Sequence, residues 1–236
     1  MKRIAPNDGA DIGKGAGAKG HHVFINSVLG GYVDHMKGKR KVLGKSSKSD
    51  LRGERKEQYW KKKNKPVIVM EGGGIKRNET WKIGINGVNR EADFANEFVD
   101  GERWKKFNIE LKPWNQTGEN IIVCGQHSNS HQWRKNPPMS KWFDQQVIEI
   151  RKYTDRPITI RPHPRNHVAI DVSKYKDVKI VGPRRDNNTY DDTDLTERLK
   201  SAWALVSYSS NPAITAAMHG IPVYVSEASL SYGVGN

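Results

Sequence analysis

Five apolar runs between residues 120 and 226 constrain this chain most: NIIVCG, PITIRP, DVKIVGP, WALVSYSS and IPVYVSE. Each reads as a short strand, and Gly125 ends the first. Helical patterns fall between them. MSKWFDQQVIEIRKYT has apolar residues at 142, 143, 147, 148 and 150, which predicts an amphipathic helix with Ser140 as N-cap. TDLTERLKSA predicts a helix capped by Thr193 or Asp194, and NPAITAAMHG one closed by Gly220 just past its end. Strands alternating with helices at this spacing imply a parallel, doubly wound α/β sheet. Upstream, PVIVMEGGG and WKIGING read as strands, NREADFANEFV as a short helix or loop, and ELKPWNQTGE as a linker. HHVFINSVLGGYVDHM is consistent with either a strand or a helix, 52–64 with a helix anchored by Tyr59 and Trp60, and 1–20 with loop or disorder. No internal repeat is visible. The expected division is a basic N-terminal domain at 1–115 and a Rossmann-like domain at 116–236.

A length of 236 residues suits one large domain or two small ones, and 35% hydrophobic residues suffice for a packed core. No run of about 18 apolar residues offers a membrane span, and the first twenty residues lack the apolar stretch of a signal peptide. The single cysteine, Cys124, excludes an internal disulfide and fits a reducing, cytoplasmic setting. Its place inside NIIVCG makes it a buried small residue rather than a nucleophile. The net charge of +14 is unevenly spread: residues 1–65 hold 17 Lys+Arg against 6 Asp+Glu, and the remainder 23 against 20. An excess confined to one end suggests a polyanionic partner there, DNA or an acidic glycan, or else a solvated arm. Trp60, Trp81, Trp104 and Trp114 could stack on bases or sugars, although core packing explains such residues more often.

In open α/β sheets ligands bind beyond the carboxyl ends of the strands. The residues leaving those ends are Gly125, Gln126, His127 and Ser128; Arg161, His163 and Arg165; Gly182, Pro183 and Arg184; Ser207, Ser209, Ser210 and Asn211; and Ser226 and Glu227. Cations, hydroxyls and a carboxylate on one rim suit a phosphate attached to a sugar. In SYSSNPAITAA small hydroxyl residues open a helix with Pro212 near its first position, where unpaired N–H groups can hold phosphate oxygens. The plainer alternative is that Ser210 or Asn211 is simply an N-cap.

The order GQ, RPHPR, LVSYSSNPAITAAMHGIPVYV resembles the nucleotide-sugar half of GT-B glycosyltransferases. It looks most like the group with His-Pro and Ser-Ser motifs: bacterial sialyltransferases, capsule-polysaccharide Kdo transferases and phage-encoded glycosyltransferases. The resemblance spans residues 66–230 and implies two Rossmann-type domains with parallel sheets, the second best defined; SLSYGVGN ends the given sequence where such proteins usually continue into a C-terminal helix. The resemblance places the nucleotide on His163 and Pro164 and the phosphate on Ser209 and Ser210, and it matches Gln126 to a strand-end glutamine of the Kdo transferases; the reading of the strand ends adds Arg161, Arg165, Ser207, Asn211 and Glu227 to the sugar-donor side. VIVMEGGGIKRN is similar to the acidic turn of the Kdo-transferase type, which makes Glu71 the general base and Arg77 an acceptor or donor contact; Gly72 stands where that turn has its second acid. Lys61 and Lys62 join the acceptor side.

The implied reaction is direct, inverting sugar transfer from a nucleotide-sugar co-substrate to a hydroxyl. Arg161, Arg165 and the Ser209–Ser210 helix end would stabilise the leaving phosphate in place of a metal, and His163 would share a proton or hold the nucleotide. No other cofactor is expected. The acids of YDDTD (190–194) superficially form a metal motif, but capping of the following helix explains them better. Three readings follow: a glycosyltransferase acting on a modified base in phage DNA, within the host cytoplasm; a capsule or lipopolysaccharide glycosyltransferase; and a non-catalytic nucleotide or nucleic-acid binder.

Overall fold

Apolar residues at consecutive positions 121–124 leave no polar face for water, so the strand that carries them must be covered on both sides. The computed structural model describes residues 22–25, 67–76, 79–87, 89–94, 100–130, 132–133, 135–166, 168–186, 189–190 and 192–235. At 22–25, 67, 185–186, 189–190 and 192 the description is of backbone. The strands are β1 (His22–Ile25), β2 (Val67–Gly72), β3 (Trp81–Ile85), β4 (Asn120–Cys124), β5 (Ile158–Arg161), β6 (Val178–Ile180), β7 (Arg185–Asp186), β8 (Thr189–Tyr190), β9 (Ala202–Ser207) and β10 (Val223–Val225). The helices are α1 (Glu102–Lys105), α2 (Met139–Arg151), α3 (Asp192–Leu199) and α4 (Pro212–Met218). They form two compact units, Met1–Asp100 and Gly101–Asn236.

The first unit contains the sheet β1-β2-β3. β1 and β2 are parallel, but β2 and β3 run antiparallel, with Glu71 opposite Lys82 and Gly72 opposite Trp81. The all-parallel expectation therefore fails at this pair. A short connection joins its strands, too short for a crossover. The Gly73 N–H donates to Thr80 O at 2.9 Å, and Lys76 takes the left-handed turn conformation at φ 45°. After β3 the chain turns back, and Asp93 exchanges two backbone hydrogen bonds with Ile85.

In the second unit β10-β9-β4-β5-β6 form one sheet, and every pairing in it is parallel. The chain starts in the middle at β4 and moves outward through β5 and β6. It then returns to place β9 and β10 on the other side. This is the strand order of a Rossmann-type sheet, and it reverses direction between β4 and β9. Ile121 and Val123 pack on one face with Phe143 and Val147 of α2 and with Ile158 and Ile160. Ile122 and Cys124 pack on the other with Leu199, Leu205, Ala213 and Ala216. The period-two alternation of β4 thus supplies two cores at once. Burial pushes the Cys124 thiol up to about 12 against the opposing pull of the Arg161 charge, which fits a packing residue rather than a nucleophile.

Several local expectations change. Pro138, not Ser140, precedes the first residue of α2, and Ile148 is exposed because the buried stripe runs through Met139, Phe143 and Val147. α3 begins at Asp192, so Thr193 and Asp194 lie inside it. The segment 110–119, read as a linker, lies inside the second unit and is pinned to its helix α4 end: the Lys112 N–H donates to Met218 O at 3.0 Å and the Asn115 N–H to Gly220 O at 2.6 Å. Gly220 is at φ 73°, and a Cβ there would collide with the Pro113 carbonyl, so glycine is required twice over. Trp81 and Trp114 are exposed, and Trp104 meets Phe107 edge-on. Trp60 and the segments 1–20 and 52–64 lie outside the described residues. Among the described residues no helix is long and apolar enough to cross a membrane.

Candidate functional site at the strand-order reversal

β4 and β9 deliver their carboxyl ends side by side, with Cys124 level with Ser207. Gly125 follows β4 directly. A Cβ there would come within 2.6 Å of the Phe143 ring and 3.4 Å of the His163 backbone nitrogen, so glycine lets the β5 loop close over the β4 end. The next residue, Gln126, is buried at 7% exposure. Its Nε2 donates to Ser209 Oγ at 2.9 Å and to Gln132 Oε1 at 3.1 Å. Ser209 Oγ in turn donates to Gln132 Oε1 at 2.9 Å. Three side chains from the β4 end, the β4–α2 loop and the β9 end thus close a ring across the reversal.

The sequence reasoning named Gln126 and Ser209 but missed Gln132. It also missed Asn166, which ties the two neighbouring loops together. Asn166 Nδ2 donates to Gln126 O at 3.1 Å and Ser128 Oγ at 2.7 Å, while its Oδ1 accepts from the Ser128 N–H at 3.4 Å. His127 and His163 lie edge to face with centroids 5.2 Å apart. Each accepts a backbone N–H at Nδ1, from Asn129 at 3.2 Å and from Arg165 at 3.1 Å. In the neutral ring this puts the proton on Nε2, so both imidazoles act as N–H donors there. Trp133 is buried against Trp142 and Tyr208 at centroid distances of 5.7 and 5.1 Å, and this anchors the loop that carries Gln132.

Other predicted residues have different duties. Arg161 is buried at the end of β5, where its Nη2 donates to Asp194 Oδ2 at 2.9 Å. Asp194, only 2% exposed, also accepts from Arg198 Nε at 2.9 Å and from the Arg184 N–H at 3.4 Å. Burial works to raise its carboxyl. The Arg161 hydrogen bond, the Arg184 N–H and the charges of Arg161 and Arg198 outweigh it, and the group is held below its ordinary value. The capping explanation of this acid is thereby corrected: it is the centre of a buried charge cluster.

Ser207, also buried, accepts the Ser210 N–H at 3.2 Å and meets Ser210 Oγ at 3.0 Å, so it holds the turn into α4. Ser226 Oγ donates to Tyr208 O at 2.8 Å and joins the end of β10 to the same turn. α4 is seven residues long, and Asn211 precedes it without a side-chain cap bond. So short a helix has a modest dipole, which moves the weight of any oxygen recognition onto the serine hydroxyls. Arg165 and Glu227 are exposed, and Pro164 is half-buried.

In the first unit Glu71 forms an ion pair with Lys82 across β2 and β3 at 2.8 Å, both partly buried. Arg77, Lys61 and Lys62 lie outside the described residues.

No protein-family model matches this sequence, and no curated protein matches it. Among solved structures, the chain is similar to Thermosulfurimonas dismutans KpsC, beta Kdo 2,7 transferase, at 16% identity and TM-score 0.49, over 93% of this chain and 70% of that one. It is also similar to Thermosulfurimonas dismutans KpsC, beta Kdo 2,4 transferase, at 11% identity and TM-score 0.49, over 88% of this chain and 81% of that one. Neither likeness reaches the level that assigns a fold; for the second unit the strand order does so.

Proposed function

We propose that the protein is a glycosyltransferase that takes a nucleotide-sugar at the reversal between β4 and β9. The observation that supports this best is the ring of Gln126, Ser209 and Gln132 where ligands bind such sheets, beside the edge-to-face pair His127 and His163. The hydroxyls of Ser209 and Ser210 would receive phosphate oxygens, with Arg165 on the rim adding charge. His163 and Pro164 would hold the nucleotide. Because Arg161 is paired with Asp194, its part is to shape the β5 end rather than to meet phosphate. As the glycosidic bond to phosphate breaks, these donors would stabilise the growing negative charge, while Glu71 takes the proton of the acceptor hydroxyl.

Thermal shifts with UDP, GDP, CMP and TDP test the site. One nucleotide is expected to raise the melting temperature of the wild type and to lose that effect in His163→Ala. If none shifts it, the sugar-donor site is wrong.

For the acceptor we propose a polyanion, because the charge excess lies in residues 1–65. DNA bearing a hydroxylated base is the first choice and an acidic capsule or lipopolysaccharide glycan the second. A protein that neutralises several backbone phosphates loses duplex affinity steeply with salt. Binding to duplex DNA should therefore fall at least tenfold between about 50 and 200 mM salt. Duplex binding that is absent or indifferent to salt turns the choice to the glycan.

A further inference from the structure

The acceptor at the centre of the ring is unusual in kind. Gln132 Oε1 receives Gln126 Nε2 at 3.1 Å and Ser209 Oγ at 2.9 Å, so a neutral side-chain oxygen lies where two hydrogen-bond donors from different strand ends converge. Convergent donors of this sort are what an oxygen of a ligand phosphate requires. The arrangement is also incompletely satisfied. Gln126 is 93% buried by its 7% exposure, and its Oε1 has no hydrogen-bond partner among the described residues. A buried carbonyl left in that state is costly, so the closed ring is not the best that these groups can do.

The backbone near Gln132 is held independently of its carboxamide. Trp133 is buried in the core, its N–H donates to Ser130 O at 3.0 Å, and Asn136 Nδ2 donates to Gln132 O at 3.1 Å. The Gln132 side chain can therefore leave the ring by rotation about its own bonds while the loop stays in place.

We propose that Gln132 is a built-in occupant of the ligand-oxygen position between Gln126 and Ser209, displaced when the phosphate of a nucleotide-sugar binds. This rests on the sugar-donor site proposed above. Its carboxamide competes with ligand and lowers affinity, and its departure leaves the Gln126 Nε2 and Ser209 Oγ donors to the incoming oxygen. An oxygen-bearing ligand is thereby selected over an apolar one, since only an acceptor can replace Gln132 without leaving two donors unpaired.

Calorimetric titration of the full chain with UDP, GDP, CMP, TDP and inorganic pyrophosphate tests this on wild type, Gln132→Ala and Gln132→Met. Methionine keeps the length of the side chain without its acceptor and guards against a packing defect in the alanine variant. Both variants are expected to bind the preferred nucleotide roughly three- to tenfold more tightly, the equivalent of one or two competing hydrogen bonds removed. The gain should vanish in a Ser209→Ala background, where one of the two donors is gone. If wild type binds a nucleotide and both variants bind it equally or more weakly, Gln132 is not a competitor and the inference is overturned while the site stands. If no form binds any of the probes, the site itself fails and the inference with it. A wild type that binds nothing beside variants that do bind would support both.

Discussion

Asp194→Asn is expected to lower the unfolding free energy by about 3–5 kcal/mol, the usual result of removing one partner from a buried charge pair. The aspartate is 2% exposed and bonded to Arg161, Arg198 and the Arg184 N–H. Asparagine keeps the shape but abandons the Arg161 guanidinium to the interior without its counter-charge. Urea denaturation, followed by the near-ultraviolet circular dichroism of buried Trp133 with the partly buried Trp142 and Tyr208 packed on it, measures the loss. Glu197→Gln is the control. Glu197 meets Arg184 at 3.3 Å with both side chains about half exposed, and such pairs contribute about 0–1 kcal/mol. Replacing both charges together, as Arg161→Met with Asp194→Leu, should recover much of the loss, because apolar packing often equals a buried ion pair. Since the folded carboxyl is held below its ordinary value, its contribution is complete above the unfolded pKa, near 4, and disappears as the pH falls through the lower folded one. The wild type should accordingly weaken faster than the double variant below about pH 4. Equal stability of wild type and Asp194→Asn would mean that Arg161 is solvated or otherwise compensated, and would return it to the candidate phosphate contacts.

Arg161 also shows where sequence reading reaches its limit. The apolar runs that became β4, β5 and β9 were visible because strands in the middle of the sheet are covered on both faces; β6 and β10, at its two edges with residues such as Ile180 and Tyr224 exposed, were legible as short β-prone runs beside glycine and proline. The rim of the sheet followed from that alternation. What each rim residue does there did not, because it depends on partners far away in the chain. Gln126, Gln132 and Ser209 meet across separations of 6, 77 and 83 residues, and no periodicity connects them. Asn166 stands in a loop with nothing to distinguish it from a turn residue. Asp194 sits among neighbours whose composition is that of any polar helix start, and only Arg161, on another element, reveals that it is buried. In the first unit the strands β2 and β3 were recognisable, but their antiparallel pairing depends on the short turn at Gly73–Thr80 rather than on the strand residues themselves.

Glu71→Gln carries the other large expectation: a fall in sugar transfer of about a hundred- to ten-thousandfold, the contribution of a positioned general base, with nucleotide affinity unchanged. The alternative is already visible in the fold. Glu71 stands directly opposite Lys82 and pairs with it at 2.8 Å, and a cross-strand pair of opposite charge is reason enough for a glutamate there, contributing about 0.2–1 kcal/mol. The two duties separate when Lys82→Met is measured beside Glu71→Gln, by nucleotide release in the presence of acceptor and by thermal melting. If Glu71 only pairs strands, each variant loses the same small stability and transfer is little altered in either. If it is the base, Glu71→Gln abolishes transfer at nearly full stability, whereas Lys82→Met retains most of the turnover because the carboxylate remains. A Glu71→Gln protein with full transfer would remove the base from β2 altogether. A protein that binds its nucleotide and transfers nothing, in wild type and variant alike, would instead be the non-catalytic binder, in which the ring at the β4–β9 reversal serves recognition alone.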